Sequence, residues 1–134
     1  MHPEKIFSVY RILSIILMIF IAANAIIAGV LFIIDPNGQM MGMSTDYLKY
    51  APFRNYLIPG IILLIVNGLF NIWATIKTFN KSKYHPIYIM LQGVLLSGWI
   101  IVQMLMVRDV NILHAIMISI GIMLIFMGYR LNSK

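Results

Sequence analysis

The chain has 134 residues, of which 61% are hydrophobic and only 10% are charged. Soluble domains carry about 25% charged residues, so this composition excludes a soluble globular fold and indicates a membrane protein. The formal net charge is +6, but the ten basic residues are divided among the chain ends and the connections and form no basic face. We therefore expect no nucleic-acid partner. The absence of cysteine excludes disulfides and thiolate metal sites.

Four apolar stretches are long enough to cross a bilayer as helices, which takes about 20 residues. We predict an all-α fold, an integral membrane four-helix bundle that forms a single domain over residues 1–134. The first stretch is too long for a signal peptide and has a poor cleavage site, so we expect it to remain as a membrane anchor. The predicted helices lie at about residues 8–34, 54–79, 86–107 and 112–130.

The connection between helices 1 and 2 is the longest loop. It begins with Asp35-Pro36-Asn37-Gly38, a sequence typical of a type I turn. Within the exterior loop of residues 35–53, Ser44 is predicted to cap a short helix of residues 45–50 that lies at the membrane interface. Pro59 falls in the first turn of helix 2, where its missing N–H costs little.

Basic residues are divided unequally between the two sides of the membrane. Three lie on the side of the 35–53 loop and seven on the side of the chain termini, namely Lys5, Arg11, Lys77, Lys81, Lys83, Arg130 and Lys134. Cytoplasmic segments of membrane proteins carry the excess of Lys and Arg. We therefore predict a multi-pass protein of the bacterial cytoplasmic (inner) membrane, N-in/C-in, with both termini in the cytoplasm.

Five amide side chains lie within the apolar stretches: Asn24, Asn67, Asn71, Gln92 and Gln103. Counting turns from the exterior ends places Asn24, Asn67 and Trp99 at a depth of about 13–17 Å, near the midplane. Two interpretations remain open. The amides join helices, at about 0.6–2 kcal/mol for each hydrogen bond, or they line a ligand site, because an unsatisfied amide in lipid costs several kcal/mol.

Small residues recur at separations of three, four or seven on three helices and predict close helix contacts: Ala22, Ala25, Gly29, Gly93, Ser97, Gly121 and Gly128.

A second polar group borders the exterior ends of the helices: Asp35, Arg54, Gln103, Arg108, Asp109 and His114. It is either a solvated rim, in which Asp35 pairs with an arginine, or a polar vestibule for an anionic head group or a small polar ligand. The ligand-binding residues of the second hypothesis are Asp35, Arg54, Asn67, Trp99, Gln103, Arg108 and His114, with Asn24, Asn71 and Gln92 as further intramembrane polar residues. No catalytic residue, metal site or cofactor is predicted.

Several motifs resemble the pattern of small, uncharacterised bacterial four-helix integral membrane proteins, namely Asp35-Pro36-Asn37-Gly38, Pro52-Phe53, Tyr56-Leu57-Ile58-Pro59-Gly60, Asn67-Gly68, Gly98-Trp99-Ile100 and Gln103. In size and layout the chain is also similar to DoxX-like membrane proteins. That resemblance implies a role close to a quinone or a lipid.

The sequence therefore predicts a non-enzymatic membrane protein whose exterior-facing polar vestibule binds a small or amphiphilic, lipid- or quinone-like ligand. An enzyme is disfavoured because no nucleophile–base pair can be assembled from these residues. Two alternatives remain, a structural or accessory subunit of a larger membrane complex and an oligomeric channel or transporter. The expected partners are membrane lipids, the ligand, and either further copies of the chain or a larger complex.

Overall fold

A computed structural model describes residues 3–49, 51–107 and 112–133, and these residues form four long helices and no strand. Each helix is long and apolar enough to cross a membrane, which confirms the predicted all-helical, four-span architecture. The helices are α1 (Pro3–Ile34), α2 (Leu57–Phe79), α3 (His85–Val107) and α4 (Ile112–Asn132). Helix α1 begins at Pro3, earlier than the predicted residue 8. Proline is tolerated at the first helical position, so Pro3 does not prevent this early start.

Consecutive helices that pack on each other run antiparallel, so the bundle has two distinct ends. We call the end that carries the 35–56 connection the loop end, and the end where α1 begins and α4 finishes the terminal end. The corresponding halves of the bundle are the loop half and the terminal half.

The four helices form two hairpins, α1 with α2 and α3 with α4. Glycines allow the backbones within each hairpin to approach closely. A Cβ added to Gly29 would lie 2.9 Å from the Gly60 carbonyl oxygen, and one added to Gly93 would lie 2.5 Å from that of Gly121. Ordinary carbon contacts are longer than this, so only glycine fits at these positions. The structure confirms the close helix contacts that the small residues predict.

The two hairpins pack against each other mainly in the terminal half. The Phe70–Phe79 part of α2 packs against α3, whereas the Leu57–Leu63 part makes no comparable contact with it. In the same half the ring of Tyr10 meets that of Phe126 edge to face, at 6.0 Å between centroids. The buried apolar core includes Met18, Ile21, Ala74, Ile89, Leu96, Leu124, Met127 and Leu131. The hairpins therefore diverge toward the loop end.

The connection between α1 and α2 crosses the loop end. It starts with the predicted turn, in which the Gly38 N–H donates to the Asp35 carbonyl at 3.0 Å and Gly38 has a φ of 82°. Glycine adopts that left-handed conformation without steric cost. Ser44 then caps a helix as predicted, accepting from the Asp46 N–H at 3.1 Å, although this helix, Thr45–Leu48, is a 3₁₀ helix. Because it contacts α3, the connection covers the space between the hairpins.

Tyr56 holds this connection against the helix ends. Its ring stacks on Phe32 with 4.8 Å between centroids, and its hydroxyl donates to the Ser44 carbonyl at 2.7 Å. The backbone N–H of Tyr56 donates to the Pro36 carbonyl at 2.8 Å. Burial, with a smaller contribution from the charge of Tyr47, raises the pKa of the Tyr56 hydroxyl above its ordinary value. The neutral hydroxyl is thus the form that the fold stabilises.

Candidate functional site

The centre of α2 is not a regular α-helix. Between the α-helical parts Leu57–Leu63 and Phe70–Phe79 lies a π-helical turn, Leu64–Leu69, in which the Phe70 N–H donates to the Ile65 carbonyl five residues earlier. Such turns hold one extra residue and often occur at functional sites. Asn67 and Gly68 lie in this turn and are both buried. The wide turn therefore positions Asn67 in the middle of the bundle.

Asn67 forms a hydrogen bond across the two hairpins. The Gln92 side-chain nitrogen on α3 donates to the Asn67 side-chain oxygen at 3.0 Å, and the exposed fractions of the two residues are 0% and 1%. Among the described residues, the Asn67 side-chain nitrogen and the Gln92 side-chain oxygen have no hydrogen-bond partner. The pair thus joins two helices, as one interpretation predicts, and each residue keeps one unsatisfied polar atom.

Asn71 and Asn24 do not join helices. The Asn71 side-chain oxygen accepts from the Thr75 hydroxyl of the same helix at 3.3 Å, and its nitrogen is buried without a partner in the described part of the chain. The Asn24 side chain is exposed, and its nitrogen donates to the Phe20 carbonyl of the same helix at 2.9 Å. Neither amide therefore has the interhelical role that one interpretation assigns to it.

A cavity of about 240 Å³ lies between the hairpins in the loop half. Its polar lining residues are Asn24, Asn67, Trp99 and Gln103. Its apolar lining includes Ile21, Phe32, Met41, Met43, Leu48, Tyr56, Leu63, Ile100 and Met117. The structure thus brings together three of the predicted ligand-binding residues, from α2 and α3, with the intramembrane Asn24 of α1.

Three of the other predicted ligand-binding residues, Asp35, Arg54 and His114, are described and do not line the cavity. The Asp35 carboxylate accepts from the Met40 N–H at 2.9 Å, so the turn holds this group within its own segment. Arg54 is exposed, and His114 is buried to 7% exposure but lies outside the cavity lining. Arg108 and Asp109 fall outside the described residues. The described lining is therefore far less polar than the vestibule that the sequence predicts.

The apolar walls of the cavity are the part of the site that sequence reasoning missed. Phe32, Leu48 and Tyr56 form a small buried cluster next to it. Apolar residues are no guide to a cavity in this chain, because large apolar side chains cover the outside of the bundle as well as its interior. In the sequence, the feature that could have indicated this apolar wall is the pair of aromatic residues that flank the connection, Phe32 and Tyr56.

The lining determines which chemical groups the cavity can hold. No charged side chain lines it among the described residues, so a charged group inside would lose its hydration without compensation. The Asn67 side-chain nitrogen, which has no partner in the described residues, offers a hydrogen bond to an acceptor atom. The cavity is therefore suited to an apolar group that carries an uncharged acceptor, such as a carbonyl oxygen.

The chain was compared with protein-family models, with characterised proteins and with solved structures. None of the three comparisons found a match.

Proposed function

We propose that this chain is a membrane protein that binds one small or amphiphilic, lipid- or quinone-like ligand in the cavity between its hairpins and catalyses no reaction. The observation that carries the proposal is the Asn67 side-chain nitrogen, which is buried beside an otherwise largely apolar cavity and has no partner among the residues that the structure describes. A buried donor without a partner costs about 1–3 kcal/mol. An acceptor atom of a ligand removes that cost, and the removal of the cost favours binding.

Asn67→Leu tests the proposal, with Asn71→Leu as the matched control. Both asparagines are buried on one face of α2, and within the described part of the chain each has a side-chain nitrogen without a partner, but of the two only Asn67 lines the cavity. Thermal unfolding of the purified protein in detergent is followed with and without a prenylated benzoquinone or a fatty acid ester. A ligand at one hundred times its dissociation constant stabilises the folded state by about 2.7 kcal/mol.

We expect a ligand to raise the unfolding midpoint of the native chain and of Asn71→Leu, and to raise that of Asn67→Leu much less. The proposal is wrong if neither compound changes the midpoint of the native chain. It is also wrong if Asn67→Leu keeps the full increase, because binding would then not involve the cavity.

We further infer that both termini are cytoplasmic and that the connection, with its short 3₁₀ helix at the membrane interface, faces the exterior of a bacterial inner membrane. The unequal division of basic residues supports this orientation. The chain has no cysteine, so a single introduced thiol reports one position. A membrane-impermeant maleimide added to intact cells should label Gln39→Cys and not Asn132→Cys. The opposite labelling pattern would reverse the orientation.

A transport function would require several copies of the chain. The cavity reaches Asn67 and Leu96, and the core below it is filled by fully buried side chains such as Met18 and Leu124. Within the described residues, a single bundle thus lacks a continuous path across the membrane. We expect no flux of ions or small anions through liposomes that contain the protein at low density.

A further inference from the structure

Asn24 lies on the surface of the bundle and also lines the cavity. Its nitrogen donates to the carbonyl of Phe20 in its own helix, so the side chain does not hold the bundle together. A polar side chain at this depth in lipid is unfavourable, and in membrane helices such residues usually mark a functional position. An exposed residue that lines a cavity also marks a place where the cavity reaches the surface.

The position of Asn24 on α1 shows which helices flank this opening. Tyr10 lies fourteen residues earlier, about four turns of helix, and therefore on nearly the same face. The Tyr10 ring packs against Phe126 of α4. Asn24 therefore lies on the side of α1 that faces α4, and Met117 of α4 also lines the cavity. The opening lies between α1 and α4, at the depth of the acyl chains.

The connection covers the cavity at the loop end. Leu48 is only 4% exposed, and the hydrogen bond from Tyr56 to Ser44 holds the connection against the helix ends. Met41 is exposed and also lines the cavity, which makes the connection the alternative route of entry.

The size and lining of the cavity restrict the ligand. Its volume of about 240 Å³ is below the range of about 300–1,000 Å³ that is usual for sites that enclose a whole ligand. Most of a long amphiphile must therefore remain outside, among the lipid chains. The part that enters is uncharged, because the described lining residues carry no charge, and it presents an acceptor to Asn67.

We infer that the ligand is an uncharged, single-chain amphiphile with a carbonyl group, and that it enters sideways from the bilayer between α1 and α4, past Asn24. This inference rests on the proposed function and adds the chemical class of the ligand and its route. A zwitterionic phospholipid does not meet these requirements, because its phosphate would have to enter the acyl region.

Tryptophan fluorescence can test the route, because the chain has only two tryptophans, Trp73 and Trp99, and only Trp99 lines the cavity. Trp73→Phe leaves Trp99 as the sole emitter. The variant is placed in phosphatidylcholine proteoliposomes, and quenching of Trp99 is measured with three quenchers in turn. They are a fatty acid methyl ester brominated at mid-chain, phosphatidylcholine brominated at the same carbons, and aqueous iodide. A prenylated benzoquinone provides a second uncharged carbonyl compound.

In the same background, Asn24→Phe fills the opening, and Ile27→Phe is its control. Ile27 lies one turn along α1 and is 61% exposed, but it does not line the cavity. Asn24→Leu provides a smaller blocking side chain if the phenylalanine variant does not fold. The unquenched emission spectrum and the unfolding midpoint show whether each variant is folded.

We expect the methyl ester and the quinone to quench Trp99 saturably at low mole fraction, the phospholipid to quench it weakly without saturation, and iodide to leave it unchanged. Asn24→Phe should slow quenching by the two carbonyl compounds several-fold, and Ile27→Phe should not.

Quenching by iodide would overturn the inference in favour of entry past Met41. Equal rates in the two phenylalanine variants would also overturn it. If saturable quenching persists in either case, the proposed function stands; if the ligands neither quench nor stabilise the protein, the proposed function itself fails.

Discussion

The Gln92 side-chain nitrogen donates to the side-chain oxygen of Asn67 at 3.0 Å, and this bond links the two hairpins at the level where they begin to diverge. On the terminal side of this pair the bundle is filled by buried apolar side chains, and on the loop side lies the cavity. The pair therefore lies at the boundary between the filled part of the bundle and the part that contains the cavity.

A double-mutant cycle measures the strength of this pair. We expect Asn67→Leu and Gln92→Leu each to cost more than the double variant, because each single change leaves the other amide fully unsatisfied. The coupling free energy should be about 0.6–1.7 kcal/mol, as for other interhelical hydrogen bonds in membranes. Reversible unfolding in mixed detergent micelles, followed by circular dichroism, provides the measurement. Additive effects would show that the bond does not contribute.

Gly93→Ala should destabilise the protein, whereas Gly98→Ala on the same helix should leave its stability nearly unchanged. A Cβ at Gly93 would lie 2.5 Å from the backbone oxygen of Gly121, whereas no atom of the described residues lies within 4 Å of one at Gly98. Separation of α3 from α4 should cost about 1–3 kcal/mol for Gly93→Ala. We expect Gly98→Ala to stay within about 0.5 kcal/mol of the native chain. Indistinguishable unfolding midpoints would contradict the close packing of α3 on α4.

Tyr56→Phe should loosen the connection without unfolding the bundle. The variant loses the 2.7 Å hydrogen bond to the Ser44 carbonyl, at a cost of about 0.5–1.5 kcal/mol. Amide hydrogen exchange of residues 43–48 should accelerate, while exchange in α3 and α4 stays unchanged. Tyr47→Phe is the control, because Tyr47 is 49% exposed. Equal exchange in the two variants would indicate that the hydroxyl does not hold the connection.

The same hydroxyl predicts a loss of stability at alkaline pH. Burial raises the pKa of Tyr56 above its ordinary value of 10.0, so the folded state holds this proton more tightly than the unfolded state. Its contribution is fully present below pH 10.0 and is lost as the pH rises through the raised pKa. Unfolding midpoints measured between neutral and alkaline pH should fall less steeply in Tyr56→Phe than in the native chain. Parallel curves would contradict this assignment.

Leu96→Ala should lower stability and enlarge the cavity. Leu96 is 1% exposed, belongs to the core and lines the cavity. Removing its side chain should cost about 2 kcal/mol or more. Leu105→Ala, at a position that is 69% exposed, should cost much less. We also expect Leu96→Ala to show a larger stabilisation than the native chain by amphiphiles with bulkier head groups. Thermal unfolding with a series of such compounds checks both expectations.

The inward face of α2 was predictable because polar residues mark it. Asn67, Asn71 and Thr78 recur at helical spacing, and all three are buried. The direction of Asn24 was not predictable, because α1 is apolar on nearly every side and its pattern does not distinguish α4 from lipid. The placement of Asp35 depended on the turn, which directs the carboxylate to the backbone of Met40. Helical spacing carries no information about loop side chains.

The π-helical turn Leu64–Leu69 gives α2 two halves that are out of phase with each other. One residue of a helix corresponds to about 100° of rotation. Removal of a single residue from this turn would make α2 a continuous α-helix and would rotate one half of it relative to the other. Either Pro59 and Gly60 would then turn away from α1, or Asn71 and Ala74 would turn away from the core. A shortened chain would therefore have to give up one of these two interfaces. The length of this segment is thus as strict a requirement for the fold as the identity of any side chain in it.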